Sequence, residues 1–221
     1  MPSKLGQQMD ALLRGQQEPP TQGSDKSAQI HRMYKAGLQQ LRGTRNLHPE
    51  ARRVEMARLY TTTRGALAKV MRDQTQADKE RFAHLERSLW GYDLERATAA
   101  DRATLDATIR DAQDRAAKLA KPQHAAKALH EAEQAGDSIL ARAIAKRAHD
   151  NDWDDVLHDY LATRPSAAEQ YQQAGAIWAR YNDANARMHD HMQYVVHAPA
   201  ELRGLSPKDI EAMAEPGEPA A

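Results

Sequence analysis

Cysteine is absent from all 221 residues. Its absence excludes disulfides, thiolate metal sites and a cysteine nucleophile. Aromatic side chains are scarce, with one Phe, three Trp and seven Tyr. Long apolar runs are also missing. No window approaches the roughly 20 apolar residues of a membrane-spanning helix. The opening MPSKLGQQMDALLRG lacks the apolar core of a secretory signal. These features predict a soluble protein that is not secreted by a signal peptide and does not enter a membrane. Net charge is missing too, since 31 Lys and Arg balance 31 Asp and Glu, so bulk charge draws the chain to no polyanion. No GxSxG elbow, Walker loop, HExxH or dinucleotide fingerprint occurs. The expectation is therefore a non-enzymatic protein with no catalytic residues, no cofactor, no metal and no small-molecule substrate.

What is present is Ala, Arg, Gln, Asp and Glu, arranged in thin apolar stripes. That composition favours long helices that pair with one another over a sheet-centred core. The fold class expected is all-α: an elongated antiparallel bundle of coiled-coil-like long helices with a compact helical-hairpin segment. Four regions follow along the chain. Residues 1–28 read as a flexible N-terminal segment, in which GQQEPPTQGSDKSA (15–28) is linker-like. The stretch 1–14, with Leu5, Met9, Leu12 and Leu13, is either a frayed end or a docking peptide. Residues 29–92 form a basic long-helix region, with helices over 27–42 and about 49–90. Pro49 and Glu50 suit the start of the second helix, and Gly91 in WGYD suits its end. Thr61, Thr62, Thr63 and Gly65 lower helix propensity midway and mark a place to bend. Residues 93–198 form a helical bundle, with helices from about 98 to 119, at 123–135, 137–150 and 152–163, and from Pro165 to about 197. Residues 199–221 form a tail with one short helix, where Ser206, Pro207 and Asp209 make an N-terminal capping pattern. The short run QYVVH is β-branched but ends a helical pattern.

The acidic stretch AHDNDWDDVLHDYL (148–161) has five carboxylates within ten positions. A calcium loop started at Asp150 would need Gly at its sixth position and Glu at its twelfth, where Asp155 and Leu161 stand. A helix corner fits better. Asp150 and Asn151 suit the turn, Asp152 suits the cap, and Asp154 and Asp155 suit the first turn. Trp153, Val156, Leu157, Tyr160 and Leu161 would form the buried face, with His149 stacked on Trp153. His189, His191 and His197 lack the i,i+3 or i,i+4 spacing that would place ligands on one helix face. They read as surface histidines, as do His124 and His130.

Two signals remain. Tyr171, Ala174, Trp178, Tyr181, Asn185, Met188, Met192 and Val195 fall on alternating three- and four-residue steps. This is a heptad-like pairing seam with one polar position that can set register. It suits intramolecular packing on the 49–90 helix, or self-association. The second signal is charge segregation. Residues 29–72 hold ten Lys and Arg against two acids, whereas 131–164 hold eight acids against four bases. Arg45, Arg52, Arg53, Arg58, Arg64, Lys69 and Arg72 are thus candidate contacts for a nucleic-acid backbone or for an acidic protein partner such as the acidic patch of a neighbouring copy, or they form a simply solvated face. Only Tyr34 and Tyr60 interleave with the basic run, which disfavours a base-stacking platform for single strands.

The run ERFAHLERSLWG, followed by AKALHEAEQAGDSILARAIAKRAHDNDWDDVLHDYLATRP, resembles a group of helical proteins encoded by actinobacterial phages and prophages. The likeness lies in LERxLWG and in AxxxGDxxLARAxAxRAxxxxWxDVLxxYLxxRP, and covers about residues 80–180. No activity is assigned to that group, so no catalytic residue carries over. The resemblance implies a phage setting near head or tail genes, and a location in the host cytoplasm or the virion. The expectation is a structural or assembly protein acting through protein–protein contacts or self-association. A DNA-associated protein using the 29–72 helices is the alternative.

Overall fold

A computed structural model describes residues 22–92 and 98–215, with the side chains of 22–24 and 99–100 left aside. The proposed amphipathic segment 1–14 lies outside them. The described residues form nine α-helices and one 3-10 turn, with no strand. The chain is all-α. In order the helices are α1 (Gln22–Gly43), α2 (Pro49–Trp90), α3 (Ala99–Ala117), α4 (Pro122–Ala135), α5 (Ser138–Asp150), α6 (Asp154–Ala162), α7 (Pro165–Asn182), α8 (Ala184–Met192) and α9 (Pro207–Ala214); the 3-10 turn is Ala200–Leu202. Among the described residues no helix is long and apolar enough to cross a membrane.

Contacts divide the chain into two compact units. The described residues of one are 80–92 and 98–179; those of the other are 22–79 and 180–215. The chain passes between them inside α2 and again inside α7. This differs from the linear division at 92 and 198. The C-terminal segment belongs with the basic helices, because its apolar side chains are buried there.

α1 begins at Gln22, so part of the stretch read as linker is helical. Asp25 lies in its positively polarised first turn and Ser27 is buried. α2 has 42 residues, about 63 Å at ~1.5 Å per residue, and runs unbroken through the Thr cluster. Thr63 explains part of this. Its hydroxyl donates to the Leu59 carbonyl oxygen at 2.7 Å, so a buried Thr satisfies itself along the helix. At Gly91 the helix stops with the Gly91 amide on the Arg87 carbonyl. A Cβ at Gly91 would lie 2.3 Å from that oxygen, so no other residue fits without movement.

In the first unit α5 is central and packs on α3, α4 and α6. Its inner face is Leu140, Ala141, Ile144, Ala145 and Ala148, nearly all solvent-free. Small residues let the neighbouring backbones approach, and Ala116, Ala125, Leu129, Leu157 and Tyr160 fill the remainder. Truncating Ile144 to Ala would cost about 2–5 kcal/mol. Gly136 takes φ +70 after α4, where only glycine is unstrained, and Asp137 then caps α5 by accepting the Leu140 amide at 2.9 Å.

The acidic stretch is a helix corner, with two differences from the sequence reading. Asp152 does not cap α6. It takes the left-handed conformation (φ 55), and Trp153 holds the cap position with its amide on the Ala148 carbonyl at 2.9 Å. Nor does His149 stack on Trp153, which lies under the Arg147 guanidinium at 5.8 Å. His149 stacks on Trp90 instead, at 5.4 Å and 18°, and meets Tyr171 edge-on at 5.6 Å.

Candidate functional site

In the second unit α1 and α2 form a helical hairpin around Tyr34, Leu38 and Met56. Arg52 ties its corner by donating to the carbonyl oxygens of Thr44 (2.8 Å) and Leu47 (3.3 Å). The QYVVH run is neither helix nor strand. It crosses α1, with the His31 ring on the Gln193 carbonyl at 2.9 Å and the Tyr34 hydroxyl donating to the His197 carbonyl at 3.0 Å. Burial, first among several causes, pushes the Tyr34 phenol up to about 12.

Beyond it, residues 199–214 lie along the hairpin as a strap. Glu201 receives two hydrogen bonds from the Arg42 guanidinium, at 2.7 and 3.0 Å. Those bonds chiefly hold its carboxyl down at about 2. Arg64 pairs with Glu211. Arg58 donates to the Ala214 carbonyl at 3.1 Å, at the negatively polarised end of α9, and to Glu55 at 2.7 Å. Between these pairs Leu202 and Ile210 are buried with Ala57. The expected capping box forms, with Ser206 and Asp209 bonded reciprocally. The half-exposed ion pairs are screened by water and contribute little, whereas burying Leu202 and Ile210 contributes ~1.5–3 kcal/mol each. The aliphatic anchors therefore dominate, and the arginines select what lies beside them.

Of the candidate basic contacts, Arg52, Arg58, Arg64 and Lys69 are engaged within the chain, Lys69 with Asp73 at 2.6 Å. Arg45, Arg53 and Arg72 are exposed, and no hydrogen bond or ion pair holds them among the described residues. The structure thus divides the proposed basic residues: Arg58 and Arg64 meet the strap, Arg52 and Lys69 are engaged within the hairpin, and Arg45, Arg53 and Arg72 are exposed.

The pairing seam is not continuous. The helix expected to reach 197 ends at Asn182. Asp183 takes an extended backbone and caps α8, its carboxylate accepting the Asn185 amide at 2.8 Å. An Asp with this local bond competes with continuation of the helix. The seam residues then go separate ways. Tyr171 joins His149 and Trp90. Ala174 is buried beside Ile177, while Trp178 is 52% exposed. Asn185, Met188 and Met192 form an exposed stripe on α8, and Val195 lies beyond it, half-buried.

Tyr181 belongs to a cluster that the sequence reading missed. Asp78 is a buried carboxylate on α2. One of its oxygens accepts from Arg180 Nη1 and from the Tyr181 hydroxyl, each at 2.7 Å; the other accepts from Gln74 at 2.9 Å. The Tyr181 phenol is pushed up to about 12 by burial and then by Asp78. The missed signal was positional. Gln74 and Asp78 continue the stripe that Met56, Thr63 and Leu67 begin and Leu85 and Leu89 end. Polar residues on a buried stripe call for polar partners.

Elsewhere, an open polar groove of about 300 Å³ lies between Arg81, His84 and Leu85 of α2 and Ser166, Glu169 and Gln173 of α7. Arg81 spans it by donating to Gln173 at 2.7 Å. His124, His130, His189, His191 and His197 are exposed. Among the described residues no three His, Asp or Glu side chains are grouped to hold a metal ion. No known family, curated protein or solved structure matches the chain.

Proposed function

We propose that the chain acts through protein–protein contact, without chemistry of its own, and that α8 is a contact element. One observation carries this reading: α8 is nine residues long and buries none of them. A helix shorter than ~12–15 residues is marginal in water by itself. Asp183 fixes its first turn, yet Met188 and Met192, one turn apart, are 69% and 56% exposed. A methionine face adapts readily to an apolar partner. A second copy of the chain is the partner favoured here, because the same stripe then meets itself about a two-fold axis. A stripe of a few side chains falls far short of the roughly 20–30 residues a side of a stable interface, so the association is weak and reversible. The phage resemblance would set this contact in a structural or assembly role. Arg45, Arg53 and Arg72, exposed and unpaired, favour a duplex phosphate backbone as the second reading.

Sedimentation velocity over a wide concentration range tests the proposal. The expected result is reversible self-association, lost in Met188→Glu/Met192→Glu and kept in Arg53→Glu. A strict monomer at every concentration overturns self-association. Duplex binding that Arg53→Glu abolishes would move the reading to nucleic acid.

A further inference from the structure

We propose that the hairpin face carrying Arg42, Arg58 and Arg64 is a docking surface for a short acidic helix of another protein, and that the chain's own residues 199–214 occupy it in cis. This does not rest on the α8 reading, which concerns other residues. Three negative groups of the strap each meet one arginine: the Glu201 carboxylate on Arg42, the Glu211 carboxylate on Arg64, and the carbonyl end of α9 on Arg58. Between the arginines the face itself contributes Ala57 and Tyr60, against which the strap's Leu202 and Ile210 pack. The strap's helices have three and eight residues, too short to persist unaided. The face therefore folds the strap, as a groove folds an amphipathic peptide. A small apolar floor of Ala57 and Tyr60 flanked by arginines matches a polypeptide that sets carboxylates beside Leu or Ile, as Glu201–Leu202 and Ile210–Glu211 do in the strap. A phosphate backbone has nothing to place on that floor. Tethering gives the strap a high effective concentration, so an outside helix docks only by displacing it. The strap then acts as a threshold on partner binding.

The probe is a labelled synthetic peptide with the sequence of residues 199–215, titrated by fluorescence anisotropy. It is added to the full-length wild type and to full-length Glu201→Lys/Leu202→Lys/Ile210→Lys, whose strap is repelled and has lost its anchors. The expected result is binding at least tenfold tighter to the triple variant than to wild type, abolished by adding Arg64→Glu. No binding to either protein overturns the proposal and leaves the strap as a permanent part of the fold. Dimerisation of the triple variant without peptide binding, or binding of a random duplex in preference to the peptide, overturns it as well. A second measurement covers misfolding of the variant. In ¹⁵N-labelled wild type, excess unlabelled peptide must move the strap amide resonances of Leu205–Ala214 towards unfolded positions. If they stay in place at saturating peptide, the strap is not displaceable and the proposal fails.

Discussion

Removing the Asp78 carboxylate should be the most damaging single change in the second unit. The Asp78 side chain is 8% exposed and that of its partner Arg180 is 15% exposed. Asp78→Ala leaves a guanidinium, a phenol and an amide without their shared acceptor. Breaking a buried pair from one side costs about 3–5 kcal/mol, mostly because the surviving charge stays desolvated. Replacing both charges with apolar groups of similar volume removes that penalty. Asp78→Leu/Arg180→Met should therefore lie within about 1 kcal/mol of wild type. The intermediate Asp78→Asn keeps one acceptor oxygen but turns a donor towards Gln74 or Arg180, and should cost ~1–3 kcal/mol. Urea unfolding followed by far-ultraviolet circular dichroism provides the assay. The two units need not unfold together, so the slope of each transition must be compared across variants. Ultraviolet titration of Tyr181 adds an independent readout. Its phenol should move down from about 12 in Asp78→Ala, because after burial the Asp78 hydrogen bond and charge are the causes that raise it. A loss below about 1 kcal/mol for Asp78→Ala, or a double variant as unstable as the single one, would refute the reasoning.

Three further outcomes follow from the same geometry. The Glu201 carboxyl, held at about 2 against an ordinary 4.5 mainly by Arg42, stabilises the fold fully above the ordinary value; that contribution is lost as pH falls from 4.5 through about 2. Glu201→Gln should flatten the acid limb of the stability curve in that window, and an unchanged limb would show that the pair contributes nothing. The His149 ring is pushed below its ordinary 6.5, by burial first and then by Lys146, so its contribution is intact above 6.5 and lost as pH falls below it. Emission from the stacked Trp90 should report this step, and a step that persists in His149→Phe would assign it elsewhere. Gly91→Ala places a methyl 2.3 Å from the Arg87 carbonyl oxygen and should destabilise the first unit by more than about 1 kcal/mol; a neutral result in thermal unfolding would mean that the helix end simply relaxes.

Much of the architecture was legible because its signals are local. Pro49, Gly91 and the Ser206–Asp209 box act within a turn of themselves, and the boundaries they mark occur in the structure. Periodicity alone misled where a local bond opposed it. The heptad steps continue across Asp183, but one carboxylate on the Asn185 amide ends the register. Charge was read correctly as composition and incompletely as surface. The basic excess of 29–72 is real, yet Glu201 and Glu211, some 150 residues away, neutralise Arg42 and Arg64. No window of sequence contains both partners of those pairs. Asp78 shows the same limit from the other side: its position on a buried stripe was visible, but its need for Arg180 and Tyr181 was not. The elements left over are the strap and α8, on which the two proposals rest. A strap held by two buried aliphatic side chains and three arginines, and a short helix with nothing buried, are both segments too short to persist unaided. In an all-helical chain whose described residues group no metal-binding side chains, such short helices are where a partner gains the most by binding, and they are the first places to mutate.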